Sequence, residues 1–245
     1  DELLELSGRL QQAELLEQVR REMDRLAPAE GEVLLPADFS EEAGYQPETI
    51  SMLHAAEALR LHATPSSPGF ARNASFSYSF AVENELKHRL GKRISRLAGM
   101  KSTRKILERL LDLRSGKLDV FYEAFVGRLQ QMHELEMRCD VVEQVLVTLH
   151  QYAEKYKPDG LKAIGVMIFV FGWSYEAPTS RGTTMVEAQL DISGADEREI
   201  LLLADRCVKM QHLRNPYIHP EFAERPDLDL LRQTAFDVLR AALNI

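Results

Sequence analysis

At 245 residues, 45% of them hydrophobic and 28% charged, the chain can bury a full core, which excludes a disordered or fibrous class. Its two cysteines, Cys139 and Cys207, exclude a disulfide framework and a cysteine-based zinc cluster, and point to a reducing, cytoplasmic setting. The net charge of −8 argues against a protein coated in basic charge, yet it is unevenly placed: residues 1–50 hold 13 acids and 4 bases (−9), leaving 25 acids and 26 bases (+1) for residues 51–245. Leu, Ala, Glu and Arg dominate, so an all-α protein is expected. The acidic first residues lack a basic stretch followed by an apolar one, so no secretory signal is expected there; the first residue, Asp1, leaves a processed or truncated start open.

In chain order, residues 2–26 read as an amphipathic helix. Leu3, Leu6, Leu10, Ala13, Leu16, Val19, Met23 and Leu26 recur at spacings of three and four. That face suits either the protein's own core or a protein partner; it is shorter than the roughly three to four heptads of a coiled coil. Residues 27–31 end it, and 32–49, acidic and carrying Pro36, Gly44 and Pro47, read as loop. A short helix is expected over Pro47–Leu61. The stretch Thr64-Pro65-Ser66-Ser67-Pro68-Gly69 then reads as a linker, dividing an acidic helical N-terminal extension (1–69) from a helical domain (70–245).

The helical body opens with residues 76–97, whose apolar face is Phe80, Leu86, Leu90, Ile94 and Leu97. Two shorter helices, 103–113 and 118–130, are expected on either side of a break near Ser115-Gly116. A long helix over 132–156 follows, with Leu135, Val142, Val145 and Leu149 on one stripe, and Pro158-Asp159-Gly160 stops it. Residues 161–173 form the most apolar run; at fewer than the roughly 20 residues that cross a bilayer, they should be core. Periodicity leaves helix and strand both open for this run, because β-branched and aromatic residues favour a strand. Residues 177–194 read as a polar loop with a strand at 185–190, so any small β element should fall within 161–190. Helices over 198–213 and 227–243 complete the chain.

Between those last two helices lies Gln211-His212-Leu213-Arg214-Asn215-Pro216-Tyr217-Ile218-His219-Pro220. A continuous helix would point Arg214 and His219 about 140° apart, at ~100° per residue. Pro216 lacks an N–H and disfavours helical geometry at Asn215, so the helix should end or bend there and turn both side chains toward one cleft. Histidine titrates near neutrality and moves protons; arginine is permanently charged and grips phosphate. Asn215 can hold the turn or a ligand.

Helix, Arg-Asn-x-x-x-His, helix resembles the HEPN superfamily. The resemblance spans residues 75–245 and is close over 76–97 and 198–244. It implies a HEPN-like helical bundle with metal-independent endoribonuclease activity and no cofactor. The RNA's own 2′-OH attacks the phosphate and leaves a 2′,3′-cyclic phosphate, with Arg214, His219 and Asn215 in the site. It further implies a homodimer with a composite active site, and a role in stress response, toxin–antitoxin pairing or anti-phage defence. The family's acid on the first helix matches Glu83 within Ala81-Val82-Glu83-Asn84-Glu85-Leu86, with Glu85 as the alternative. A toxin branch carries a tyrosine two residues after the histidine; here that position is Glu221, so tyrosine modification is not expected. Some family members are non-catalytic scaffolds, so a helical interaction module of a larger assembly is the alternative function.

Nine basic residues (Lys87, Arg89, Lys92, Arg93, Arg96, Lys101, Arg104, Lys105 and Arg109) fall close together with Glu108 as the single acid, forming either an RNA-backbone track or a solvated helix face. Of these, Lys87, Lys92, Arg93 and Arg96 are the candidate RNA contacts. Aromatic residues do not interleave with them, so base stacking is not indicated. His133, His150 and Glu143 are not at zinc-site spacing, and no metal is expected.

Overall fold

The computed structural model describes residues 35–113, 116–152, 157–192, 194–219 and 226–245. Eight helices and two short antiparallel hairpins appear among them: α1 Pro47–Leu61, α2 Pro68–Ala98, α3 Lys101–Leu110, β1 Leu111–Asp112, β2 Lys117–Leu118, α4 Val120–His133, α5 Cys139–Gln151, α6 Leu161–Phe171, β3 Tyr175–Thr179, β4 Gly182–Val186, α7 Glu197–Ile218 and α8 Leu228–Ala242. The fold is all-α with a small β element. The amphipathic helix expected over residues 2–26, and the partner surface it offered, lie outside the described residues.

The backbone of the fold is α2, 31 residues and about 46 Å long at 1.5 Å per residue. Pro68 opens it at the first helical position, where a missing N–H costs nothing, so it begins eight residues before the expected 76. Helices α1, α7 and α8 pack along α2, and α6 lies behind α2 and α7. Residues 35–61 share this core. Phe39 stacks on Tyr45 and meets Phe236 at a tilt, their ring centroids 5.3 and 4.6 Å away, and Leu53, Ala56 and Leu59 of α1 are fully or almost fully buried. One carboxylate ties three helices: Glu57 of α1 accepts hydrogen bonds from the Tyr78 hydroxyl of α2 (2.6 Å) and from Arg232 Nε of α8 (2.5 Å).

The apolar run 161–173 is a helix. Every residue from Ala163 to Phe171 is buried, because α6 is surrounded by α5, α7 and α2, and a helix covered all round has no polar face. Gly165 sets its distance from α7: a Cβ there would sit 2.7 Å from the Ala204 carbonyl oxygen.

Elsewhere the structure corrects the expected elements. The single helix over 132–156 is interrupted. His133 ends α4, Glu134 takes left-handed geometry (φ 56, ψ 42), and α5 starts only at Cys139. Between them Leu135 and Met137 are buried, and the Met137 N–H donates to the Asp205 carboxylate on α7. The helical period continued across the gap in sequence, but a long-range partner for a backbone donor overrides local propensity. The polar loop expected at 177–194 contains the β3–β4 hairpin, running from Tyr175↔Val186 to Thr179↔Gly182, so the strand expected at 185–190 sits earlier, at Gly182–Val186. Tyr175, Ala177 and Thr179 point inward in alternation. The hairpin is anchored by Tyr175 stacking on Phe125 (5.3 Å) and Trp173 (4.6 Å). Asp119, the N-cap of α4, also accepts the Ser180 N–H at the hairpin turn.

Candidate functional site

Arg214 and Asn215 sit near the end of α7, which the structure carries past them to Ile218 with Pro216 inside the final turn. The helix therefore does not end at Asn215. Pro216 lacks the N–H that would bond the His212 carbonyl and crowds that carbonyl with its ring, and α7 ends two residues later. His219 is the C-cap; it leaves helical geometry (φ −120, ψ 88), and its N–H donates to the Asn215 carbonyl (2.8 Å). Arg214 faces inward and His219 is exposed at the helix end.

Arg214 reaches α2. Its Nη1 lies 3.8 Å from Glu83 Oε1, with both side chains largely buried (14% and 10% exposed). At that separation the two form an ion pair without a hydrogen bond. Of the two acids the sequence offered, Glu83 is the one that meets Arg214. Glu85, fully buried, accepts hydrogen bonds from Gln46 N–H (3.1 Å) and Arg89 Nε (2.8 Å), tying the loop before α1 to α2.

Three side chains of α7 form a relay. Arg214 Nη2 donates to Gln211 Oε1 (3.0 Å), and Gln211 Nε2 donates to Asn215 Oδ1 (3.0 Å). Gln211 had no role in the sequence reading, although its offsets of three and four residues from Arg214 and Asn215 put all three on adjacent helical positions. Lys87, one turn from Glu83, lies 3.4 Å from Glu83 Oε2. Burial pushes the Arg214 guanidinium below its ordinary value, and the Glu83 charge opposes that shift. Arg214 Nε is buried with no hydrogen-bond acceptor among the described residues.

The basic run divides. Arg89 is held by Glu85 and by the Gly44 carbonyl, and Arg93 Nη1 donates to the Leu190 and Asp191 carbonyls, each at 2.8 Å. Arg93 thus staples α2 to the segment after β4, and its guanidinium is committed to backbone. Lys92 and Arg96 are exposed and make no ion pair among the described residues. Past Arg214, the end of α7 borders an open cleft of about 780 Å³ lined by Arg60, Arg72, Pro216, Tyr217 and Leu228; neither Arg214 nor His219 lines it.

Among the described residues, no helix is long and apolar enough to cross a membrane, and no cluster of His, Cys, Asp and Glu is placed to hold a metal ion. Protein-family models, curated proteins and solved structures offer no match to this chain.

Proposed function

We propose that the protein is a metal-independent endoribonuclease of the HEPN type, working in a stress, toxin–antitoxin or anti-phage setting. The observation that carries this reading is the meeting of Glu83 and Arg214 across α2 and α7, extended by Gln211 and Asn215. In the proposed reaction an RNA 2′-OH loses its proton and attacks the adjacent phosphate, the P–O5′ bond breaks, and the departing 5′-oxygen takes up a proton, leaving a 2′,3′-cyclic phosphate. Arg214 stabilises the charge that builds on the phosphorane, and His219 moves a proton to or from the reacting oxygens. Asn215 and Gln211 hold the arginine fork in place, and Glu83 balances its charge in the resting protein. Arg214 is turned inward while His219 is exposed at the helix end, so the reading calls for a homodimer in which a second copy completes the cleft.

The test is cleavage of RNA by purified protein in EDTA, with wild type beside Arg214→Ala and His219→Ala and with end-group analysis of the products. Loss of cyclic-phosphate ends in both variants supports the assignment. Cleavage that survives both variants removes it.

The burial of Arg214 and its commitment to Gln211 favour a second reading, a non-catalytic helical interaction module within a larger assembly. On that reading wild type leaves RNA intact, and Arg214→Ala lowers thermal stability without changing any activity.

A further inference from the structure

A second cleft lies where α2 ends and α3 begins, about 22 Å along the helix from Glu83, given the 15 residues to Ala98 at ~1.5 Å each. It encloses about 560 Å³ and is lined by Lys101, Arg104, His150 and Lys157, with no acidic side chain among its described lining residues. Its floor is apolar, formed in part by Ala98, Leu107 and Leu149.

The start of α3 is electrostatically inverted. A helix N-terminus carries partial positive charge from its free N–H groups and favours an acid or a polar cap. Here the N-cap is Met100, which offers no side-chain acceptor, and the first turn holds no acid. Lys101, Arg104 and Lys105 stand there instead. Lys101 and Lys157 are exposed and make no ion pair among the described residues, and Arg104 only approaches Glu108 at 3.8 Å, both of them well exposed. The basic residues near Glu83, by contrast, are mostly bound to carboxylates or carbonyls. Cations without an ion-pair partner, a helix start with no acidic cap and a concave shape coincide here, and the ligand that suits them is an anion of phosphate charge. The apolar floor and the Met100 thioether, 43% exposed and polarizable, suit a planar or apolar group attached to that anion.

We propose that this cleft binds the phosphate of a nucleotide, free or within an RNA strand. The inference stands apart from the chemistry assigned to Arg214 and His219, because it is read by binding and not by cleavage.

The experiment measures binding of a labelled single-stranded RNA and of a labelled mononucleotide to the full chain by fluorescence anisotropy at moderate salt. Wild type is compared with the double variant Lys101→Gln/Arg104→Gln and with Lys105→Gln, an exposed neighbour outside the cleft lining. The expected result is about tenfold weaker binding in the double variant and less than about a twofold change for Lys105→Gln. For RNA the salt slope should also become shallower by about 1.4, at ~0.7 per lost phosphate contact. Loss in the RNA arm alone identifies a strand phosphate, and loss in the mononucleotide arm alone identifies a free nucleotide. Equal losses in the double variant and Lys105→Gln, or no binding by wild type in either arm, would overturn the proposal.

Discussion

Glu83 and Arg214, on helices far apart in the chain, place opposite charges 3.8 Å from each other in a largely buried contact without a hydrogen bond between them. Breaking a fully buried pair costs about 3–5 kcal/mol, because one charge is left uncompensated. Here Lys87, 38% exposed, admits solvent beside Glu83, so Glu83→Gln should cost less, about 1–2 kcal/mol in urea unfolding. Combined with Arg214→Gln in a double-mutant cycle, the coupling should be about 1 kcal/mol. Strictly additive single effects would show that the two charges do not interact.

Asp205 explains why α4 and α5 are separate helices. Burial raises its carboxyl above the ordinary value, while the backbone N–H groups of Glu136 and Met137 pull it down and Lys209 assists. Asp205→Ala leaves the Met137 N–H buried without an acceptor and should cost about 2 kcal/mol; Asp205→Asn keeps an acceptor and should cost less than half of that. A raised carboxyl stabilises the fold most when protonated and loses that contribution as pH rises through its folded value. Asp205→Asn should therefore narrow its deficit against wild type, or reverse it, on going from acidic to neutral pH. Parallel stability curves for the two proteins across that range would refute this account.

Gly165 is where α6 and α7 come closest. An added Cβ would meet a backbone oxygen at 2.7 Å and the Cys207 and Val208 side chains at 3.0 Å, and the carbonyl cannot rotate away. Gly165→Ala should lower stability by about 2–3 kcal/mol despite the better helix propensity of alanine. Thermal melts decide the point, and an unchanged or raised midpoint would mean that the two helices can separate at little cost.

Asp119 supplies the acid-sensitive joint between α4 and the β3–β4 hairpin. Burial raises its carboxyl, but hydrogen bonds from Ser180 and from the Phe121 and Tyr122 N–H groups outweigh burial, so the net shift is below the ordinary 3.8. A lowered carboxyl stabilises the fold above its unfolded value and loses that contribution as pH falls through the folded one. Asp119→Asn should thus cost about 1–2 kcal/mol near neutral pH, with the difference from wild type closing as pH falls below the ordinary carboxyl value of 3.8. A pH-independent difference would show that charge is irrelevant at this cap.

Much of the fold was legible from residue order because local rules governed it. Pro47 opens α1, Gly160 precedes α6, and the stripes of Leu86, Leu90 and Ile94 and of Val142, Val145 and Leu149 face the core as their spacing required. The departures arise where a distant group decides. The break at 134–138 depends on Asp205, the β3–β4 hairpin on Phe125 and Trp173, and the position of 35–46 on Glu85, Arg89 and Phe236. At the candidate site, the resemblance offered Glu83 with Glu85 as the alternative, and Glu83 is the one that lies beside Arg214. The continuation of α7 through Pro216 went the other way, since a proline near a helix end can fall inside or outside the last turn on the same local sequence.

That continuation has a dynamic consequence. Pro216 offers no N–H to the His212 carbonyl, so the final turn of α7 is held by one ladder bond fewer than the turns before it. Arg214 is fixed from the side by Glu83 and Gln211, whereas the backbone of the turn that carries His219 has one ladder bond fewer. The boundary between rigid and yielding chain therefore falls between the two residues of the motif. Amide hydrogen exchange should find residues 217–219 opening well before 207–213.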